Sequence, residues 1–197
     1  MHAGGLIRTH SRVSQAACEA AIQQLAVDTE SKCRQFLAGT SGHSIYASLR
    51  GQVFEAYAHR ILAKKEIIPV RFLDGDGTER DNINIGKRSL KVFEKLEDIQ
   101  KSYYAVPKIR NFAAVDSLAA PYLAFSMTVS SDHPTVASGL LNILPAVQDR
   151  PILVFVVPQE IEATFKEQKY WTRDKKIMTR VPEEIKRIRQ AVTAVEF

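Results

Sequence analysis

NFAAVDSLAAPYLAFSMTVSSDHP, residues 111 to 134, is the stretch on which the fold turns. Two apolar-rich runs, roughly Phe112 to Leu118 and Tyr122 to Ser130, flank a short link, the pattern of two extended strands joined by a tight connection. On the second run a period of two puts Leu123, Phe125, Met127 and Val129 on one face. Tyr122, Ala124, Ser126, Thr128 and Ser130 fall on the other. Asp116 stands near the end of the first run, among Phe112, Ala113, Ala114, Val115 and Leu118, where an unpaired carboxylate is costly. A metal ion, a cation or several backbone donors would compensate it, and a strand-end turn in which Asp116 caps Ser117 or Leu118 is the plainer alternative. Both stay open, because strand ends are also where α/β sheets place ligands.

Working outward, Arg12 to about Leu37 is rich in Ala, Gln and Leu without Gly or Pro, which favours a helix ended by Gly39 and Gly42. Ile45, Leu49, Val53, Tyr57 and Ile61 form an apolar stripe that predicts a second helix from about Ser44 to Lys64. Ile67 to Leu73 reads as a strand, the Asp-Gly-Asp-Gly at 74 to 77 as a turn, and Ser89 to Phe93 as the returning strand of a hairpin. Tyr103 to Val106 is extended. Pro134 suits the first turn of a helix reaching about Leu144, with Asp132 or His133 near its cap. Ile152 to Val157 is an unbroken apolar run, as in a strand covered on both faces at the centre of a sheet. A helix from about Gln159 to Lys169, a basic loop, and an amphipathic helix from Pro182 to Val195 complete the chain. The class is therefore α/β: a mixed central sheet of about five strands flanked by helices, with an N-terminal helical segment. Residues 1–42 form that segment, packed on the core, and 43–197 the α/β domain.

A chain of 197 residues, 45% hydrophobic and 25% charged, folds as a domain with its own core. Its formal charge of +5 permits nucleic acid or another acidic partner without requiring either. Cys18 and Cys33 sit in one expected helix, roughly 22 Å apart at helical rise, too far for a disulfide. No apolar run is long enough for a membrane span, and the start of the chain lacks the basic and apolar regions of a signal peptide. Phosphate-binding Gly-rich loops and Gly-x-Ser-x-Gly elbows are absent. The Asp74 turn starts like a calcium loop, but position 85, where such a loop needs Glu, is Ile.

On the second helix, Glu55 lies roughly opposite the apolar stripe, on a face with Ser48, Gly51 and Ala58, whose small side chains leave its carboxylate reachable from a cleft. His59, one turn on, is placed to hold it; a solvated Glu–His pair is the plain alternative. A metal-dependent nuclease would carry an acid or amide at position 126 and a lysine at 128. The chain has Ser126 and Thr128, poorer in both respects. Basic residues cluster at Lys64–Lys65, Lys87–Arg88, around Arg173, Lys175, Lys176 and Arg180, and at Lys186, Arg187 and Arg189. Wherever several meet beside Asp116, a phosphate backbone would lie there.

In order, the blocks RGQVFEAYAHRIL, YYAVPKIRNFAAVDSL, LAFSMTVSSDHP with GLLNIL, and ILVFVVP resemble the C-terminal region of Crinkler-type effectors, and are similar also to retrotransposon hot spot proteins. The blocks span about residues 45 to 170, most of the chain. The resemblance implies a restriction-endonuclease-like domain of the PD-(D/E)xK type, in which a helix gives a glutamate, one strand an aspartate, and the next an acid or glutamine with a lysine two residues on. Glu55 and Asp116 take the first two roles, as catalytic residues and ligands of Mg²⁺ or Mn²⁺. Members of the family often read Phe-Gln-Met-Thr-Val-Ser there; in this chain Ser126 stands for the glutamine, and Thr128 occupies the lysine position of the PD-(D/E)xK pattern, which puts hydrolysis in doubt. Lys91 is a lysine that another strand would supply, and Lys91, Arg50 and His133 are the candidate nucleic-acid contacts; His133 is read equally as a helix cap. The resemblance further implies a secreted effector acting inside a host cell, commonly in the nucleus. Three functions are carried forward: a degenerate nuclease that binds nucleic acid or a host protein, an active divalent-metal-dependent DNase, and a protein-binding module forming a homodimer through its first or C-terminal helix.

Overall fold

A computed structural model describes residues 29–108, 112, 114–147 and 150–197. The expected helix from Arg12 lies outside the described residues up to position 28. Its end is a helix, α1, over 29–39, and Leu37 on it is fully buried in one core cluster with Phe54, Tyr57 and Ala58. A 3₁₀ turn at Ser44–Tyr46 leads into α2, Ala47–Leu62. The strands follow as β1 (Ile67–Phe72), β2 (Arg80–Asn84), β3 (Ser89–Phe93), β4 (Tyr103–Pro107), β5 (Ser117–Ala119) and β6 (Leu123–Met127). Then come β7 (Thr135–Val136), α3 (Ala137–Ile143), β8 (Ile152–Pro158), α4 (Gln159–Glu162), β9 (Tyr170–Trp171), α5 (Glu183–Lys186) and β10 (Arg189–Val195).

The sheet is larger than the five strands expected: eight strands in the order β2-β1-β10-β8-β6-β5-β4-β3, with β7 and β9 forming a small parallel pair of their own. It is mixed. β10, β8 and β6 run parallel, as do β3 and β4, and the remaining neighbours are antiparallel. The apolar run at 152–157 is β8, inside the sheet between β10 and β6 and buried on both faces. One core cluster lies under α2, with Phe54, Ile68, Phe125 and Val154. The other lies under α3 and α5, with Leu140, Leu153, Phe155 and Ile185.

Four sequence expectations are corrected. The returning strand of the Asp74 hairpin is β2, whose Arg80 faces Arg71 across the turn, whereas Ser89–Phe93 travels to the far edge and pairs parallel with β4. The helix expected from Gln159 to Lys169 stops at Glu162, because the buried Arg71 guanidinium takes the carbonyls of Glu162 and Phe165, the former an acceptor a longer helix needs. The C-terminal helix is one turn long, and Arg189–Val195 is a sheet strand instead. Ile185, Ile188 and Val192 do recur at helical spacing, but Gln190 to Val192 and Thr193 are all buried, a burial on both faces that a slot between β1 and β8 provides. The homodimer surface expected on that helix is therefore gone. The expected stripe holds only in part: Tyr57 is buried and Val53 and Ile61 pack on the core, but Ile45, in the 3₁₀ turn, is 85% exposed and Leu49 half exposed, while Arg50, Phe54, Ala58 and Leu62 join the buried face of α2.

The opening stretch forms the expected strand pair, but shorter. Ala114 stands at φ 64°, a left-handed conformation that a residue with a Cβ seldom adopts and that interrupts any strand from Phe112. β5 begins only at Ser117, leaving Asp116 just before the strand.

Candidate functional site

Around the carboxyl end of β6 the chain opens into a cavity of about 980 Å³. α2 supplies one wall through Ser48, Gly51 and Glu55. Asp116, Ser126 and Thr128 form the floor, and His133, Thr135 and the start of α3 the opposite wall, with Arg173 and Lys175 at the rim. Sheets of this kind place ligands outside the carboxyl ends of their parallel strands. The four residues assigned to the catalytic set, distant in sequence, thus line one cleft. Of the small residues expected beside Glu55, Ser48 and Gly51 do so too, while Ala58 is buried in the core.

Asp116 is held by the neighbouring strand. Its backbone N–H donates to the carbonyl of Phe125 at 2.8 Å, and its Oδ2 accepts the N–H of Met127 at 2.6 Å, so the carboxylate is tied to β6 rather than capping Ser117 or Leu118. No hydrogen bond to Oδ1 is found among the described residues. Burial pushes this carboxyl up to about 6, the Glu55 charge adds to the rise, and the Met127 N–H and His59 oppose it. Two carboxylates in one cleft, one of them raised, form a site that gains from a positive group.

Behind them runs a polar chain. Ser117 donates to the hydroxyl of the buried Tyr104 at 2.8 Å, and that hydroxyl lies 3.0 Å from His59 Nδ1. His59 Nε2 is buried, has no hydrogen bond, and stands 3.9 Å from Glu55 Oε1. Since the Tyr104 hydroxyl accepts from Ser117, its own hydrogen is left for Nδ1, which leaves Nε2 as the ring nitrogen that faces Glu55. Burial above all keeps the Tyr104 phenol protonated, well above its ordinary range. His59 therefore stands beside Glu55 without a hydrogen bond to it, and its ring is set from behind by Tyr104, a residue sequence reasoning missed because β4 comes 45 positions later.

The three residues assigned to nucleic acid part company. His133 lines the cleft and is no helix cap: Val136 caps α3, and the His133 N–H is taken by the Gln168 side chain at 2.6 Å. Burial holds its imidazole below the ordinary range, with Asp132 opposing, so it enters the cleft uncharged at neutral pH. Arg50 is corrected. Its guanidinium is nearly buried, 2.8 Å from Glu160, and also donates to the carbonyl of Leu37, tying α2 to α1 and α4. Lys91 is corrected as well: it lies on the edge strand β3, above the Tyr103 ring, and does not line the cleft.

The cleft's cations come instead from the basic loop. Tyr170 to Met178 forms a hairpin, closed by the Trp171–Ile177 bridge and anchored through the pairing of β7 with β9. Its tip, Thr172 to Lys176, carries Arg173 and Lys175 to the rim. Comparison with protein-family models, with curated proteins and with solved structures gives no match.

For a divalent ion, the residues present make a partial set. Among the described residues no three His, Cys, Asp or Glu side chains stand together as ligands. Glu55 and Asp116, the latter with Oδ1 free, nevertheless suit an ion that keeps most of its waters, as Mg²⁺ does when two carboxylates and a substrate phosphate hold it.

Proposed function

We propose that this chain is an effector-type domain of nuclease descent whose cleft binds nucleic acid and whose hydrolytic activity is weak or lost. The observation that carries this reading is the convergence of a helix bearing Glu55, a strand entered through Asp116 and a next strand bearing Ser126 and Thr128, in that chain order, on one cavity rimmed by Arg173 and Lys175. It supports the resemblance to Crinkler-type effectors and their restriction-endonuclease-like domain. The eight-stranded mixed sheet with helices on both faces is compatible with such a core. A protein destined for a host nucleus fits the same resemblance, and no helix among the described residues is long and apolar enough to cross a membrane.

The chemistry follows from the side chains. Mg²⁺ or Mn²⁺, when bound, would be held by Glu55 and Asp116 and would polarise a phosphate and its attacking water. The residues beside them are ill suited to finish the reaction. Ser126 is neutral, and the Thr128 hydroxyl is occupied by the Ser130 N–H at 3.0 Å, so neither offers a charge to the leaving phosphate. Binding survives this loss, since it rests on cations and hydrogen-bonding groups around the cleft.

Plasmid DNA incubated with Mg²⁺ or Mn²⁺ and the parent chain is expected to show cleavage at the background that Asp116→Ala and Glu55→Ala also give, while parent and variants bind DNA with an affinity that falls with salt. Cleavage by the parent that both variants abolish would establish a working DNase. Undetectable or salt-insensitive binding would point to a protein partner.

A further inference from the structure

Resting on that reading, we propose that the Tyr170–Met178 hairpin and the entry to α3 form a phosphate subsite of the cleft, in which Arg173, Lys175 and the hydroxyls of Thr135 and Ser138 hold one backbone phosphate of a nucleic acid opposite Glu55 and Asp116. All four residues line the same cavity as the carboxylates.

Three independent features lead there. First, Arg173 and Lys175 are exposed and neither is in an ion pair among the described residues, although Glu and Asp side chains engage Arg50, Lys108, Lys186 and Arg189 elsewhere. Second, Thr135 is 97% buried, being 3% exposed, yet its Oγ1 has no hydrogen-bond partner. A buried hydroxyl left unpaired is costly, and a rotation about χ1 that brings it onto a phosphate oxygen in the cleft removes that cost. Third, the hairpin is built to present its tip. Lys175 sits at φ 58° where the turn reverses, Lys175 and Lys176 donate back to Thr172, and Arg173 Nε donates to Ser138 Oγ at 3.3 Å. That contact sets the guanidinium over the start of α3 and leaves its other N–H groups for a bidentate acceptor.

The arrangement divides the cleft into an acidic wall and a basic rim. A strand laid across it would place one phosphate on Arg173 and Lys175 and run its neighbour toward Asp116. The cation missing at position 128 is thereby supplied to the cleft from a different element, as a binding group rather than beside the reacting atoms. Lys91, the lysine singled out in the sequence, has no part in it.

The test is fluorescence anisotropy of a labelled oligonucleotide at salt concentrations from 50 to 200 mM, with the parent, Arg173→Gln/Lys175→Gln, Thr135→Val and Lys91→Gln. Because the two cations lie at an exposed tip, the double variant keeps the parent's melting temperature. Its affinity is expected to fall about tenfold or more and its log–log salt slope to flatten by about 1, for the one backbone phosphate that the two cations neutralise together. Thr135→Val is expected to weaken binding about threefold or more with the slope unchanged, since a neutral group releases no counterion. Lys91→Gln stays within about twofold of the parent. Polyglutamate, an anion without phosphate oxygens, competes poorly with the oligonucleotide. A parent that binds while the double variant matches it in affinity and slope overturns the subsite and leaves the functional reading standing, as does equal competition by polyglutamate. A parent that does not bind overturns both.

Discussion

Asp116→Asn is expected to make the folded chain more stable at pH 7, by about 1 to 3 kcal/mol. The folded carboxyl is raised to about 6 from an ordinary 3.8, chiefly by burial and then by Glu55. The folded state therefore holds a proton more tightly than the unfolded chain does. The benefit of the protonated form is fully present below about pH 4 and is lost as pH rises through 6, so at pH 7 the fold bears the whole cost of a charged Asp116. A shift of about two units is at most about 3 kcal/mol, and the opening of the carboxylate toward the cleft lowers that figure. Asparagine has no charge to desolvate and keeps a carbonyl oxygen for the Met127 N–H. Urea denaturation at several pH values is the check: the parent should weaken between pH 4 and 7 and the variant should not. A variant less stable than the parent at pH 7 would mean that Asp116 is structural and that the tension assigned to the cleft does not exist. Retaining a carboxylate at such a cost is what a ligand-binding site does.

The second large effect lies away from the cleft. Arg71→Ala is expected to destabilise the fold by about 3 to 5 kcal/mol, a loss read from the same denaturation curves. Arg71 is 7% exposed and its Nε lies 3.0 Å from Glu162 Oε1. Its remaining N–H groups reach the carbonyls of Gly77, Glu162 and Phe165, so one guanidinium fastens the β1–β2 turn and the end of α4 to β1. Removing it leaves Glu162, which is 8% exposed, with Arg80 at 3.7 Å as its ion-pair partner among the described residues, and takes a donor from the carbonyls of Gly77 and Phe165, while that of Glu162 keeps the Phe165 N–H. Arg71→Met with Glu162→Leu should recover part of the loss, because no buried charge is then left alone. Oligonucleotide affinity of the folded fraction should not change, since Arg71 does not line the cleft.

What the sequence made legible follows from how local each signal is. The run at 152–157 could be read as an interior strand because its apolar character needs no partner to interpret. The alternation in β6 likewise placed Ser126 and Thr128 on the same side, and the cleft is where that side ends. Glu55 and Asp116 were found through the blocks in which they sit. Signals that depend on tertiary setting misled. Pro182 to Val195 satisfies a helical period, and only the slot between β1 and β8, which buries both faces of its second half, makes that half a strand. Arg50 looks like any other basic residue of the second helix until Glu160, 110 positions away, is brought beside it. The basic loop was visible as charge, but its delivery to the rim rests on the two-residue pairing of β7 with β9, which no periodicity announces.

The most direct measurement of the central claim is to titrate a short oligonucleotide into the isotope-labelled chain and map the NMR shift changes onto its residues. The account predicts changes concentrated at Glu55, Asp116, Ser126, Thr128, Thr135, Arg173 and Lys175. Changes centred on the β3 edge around Lys91, or on the face around Arg71 and Arg80, or no changes at all, would contradict it.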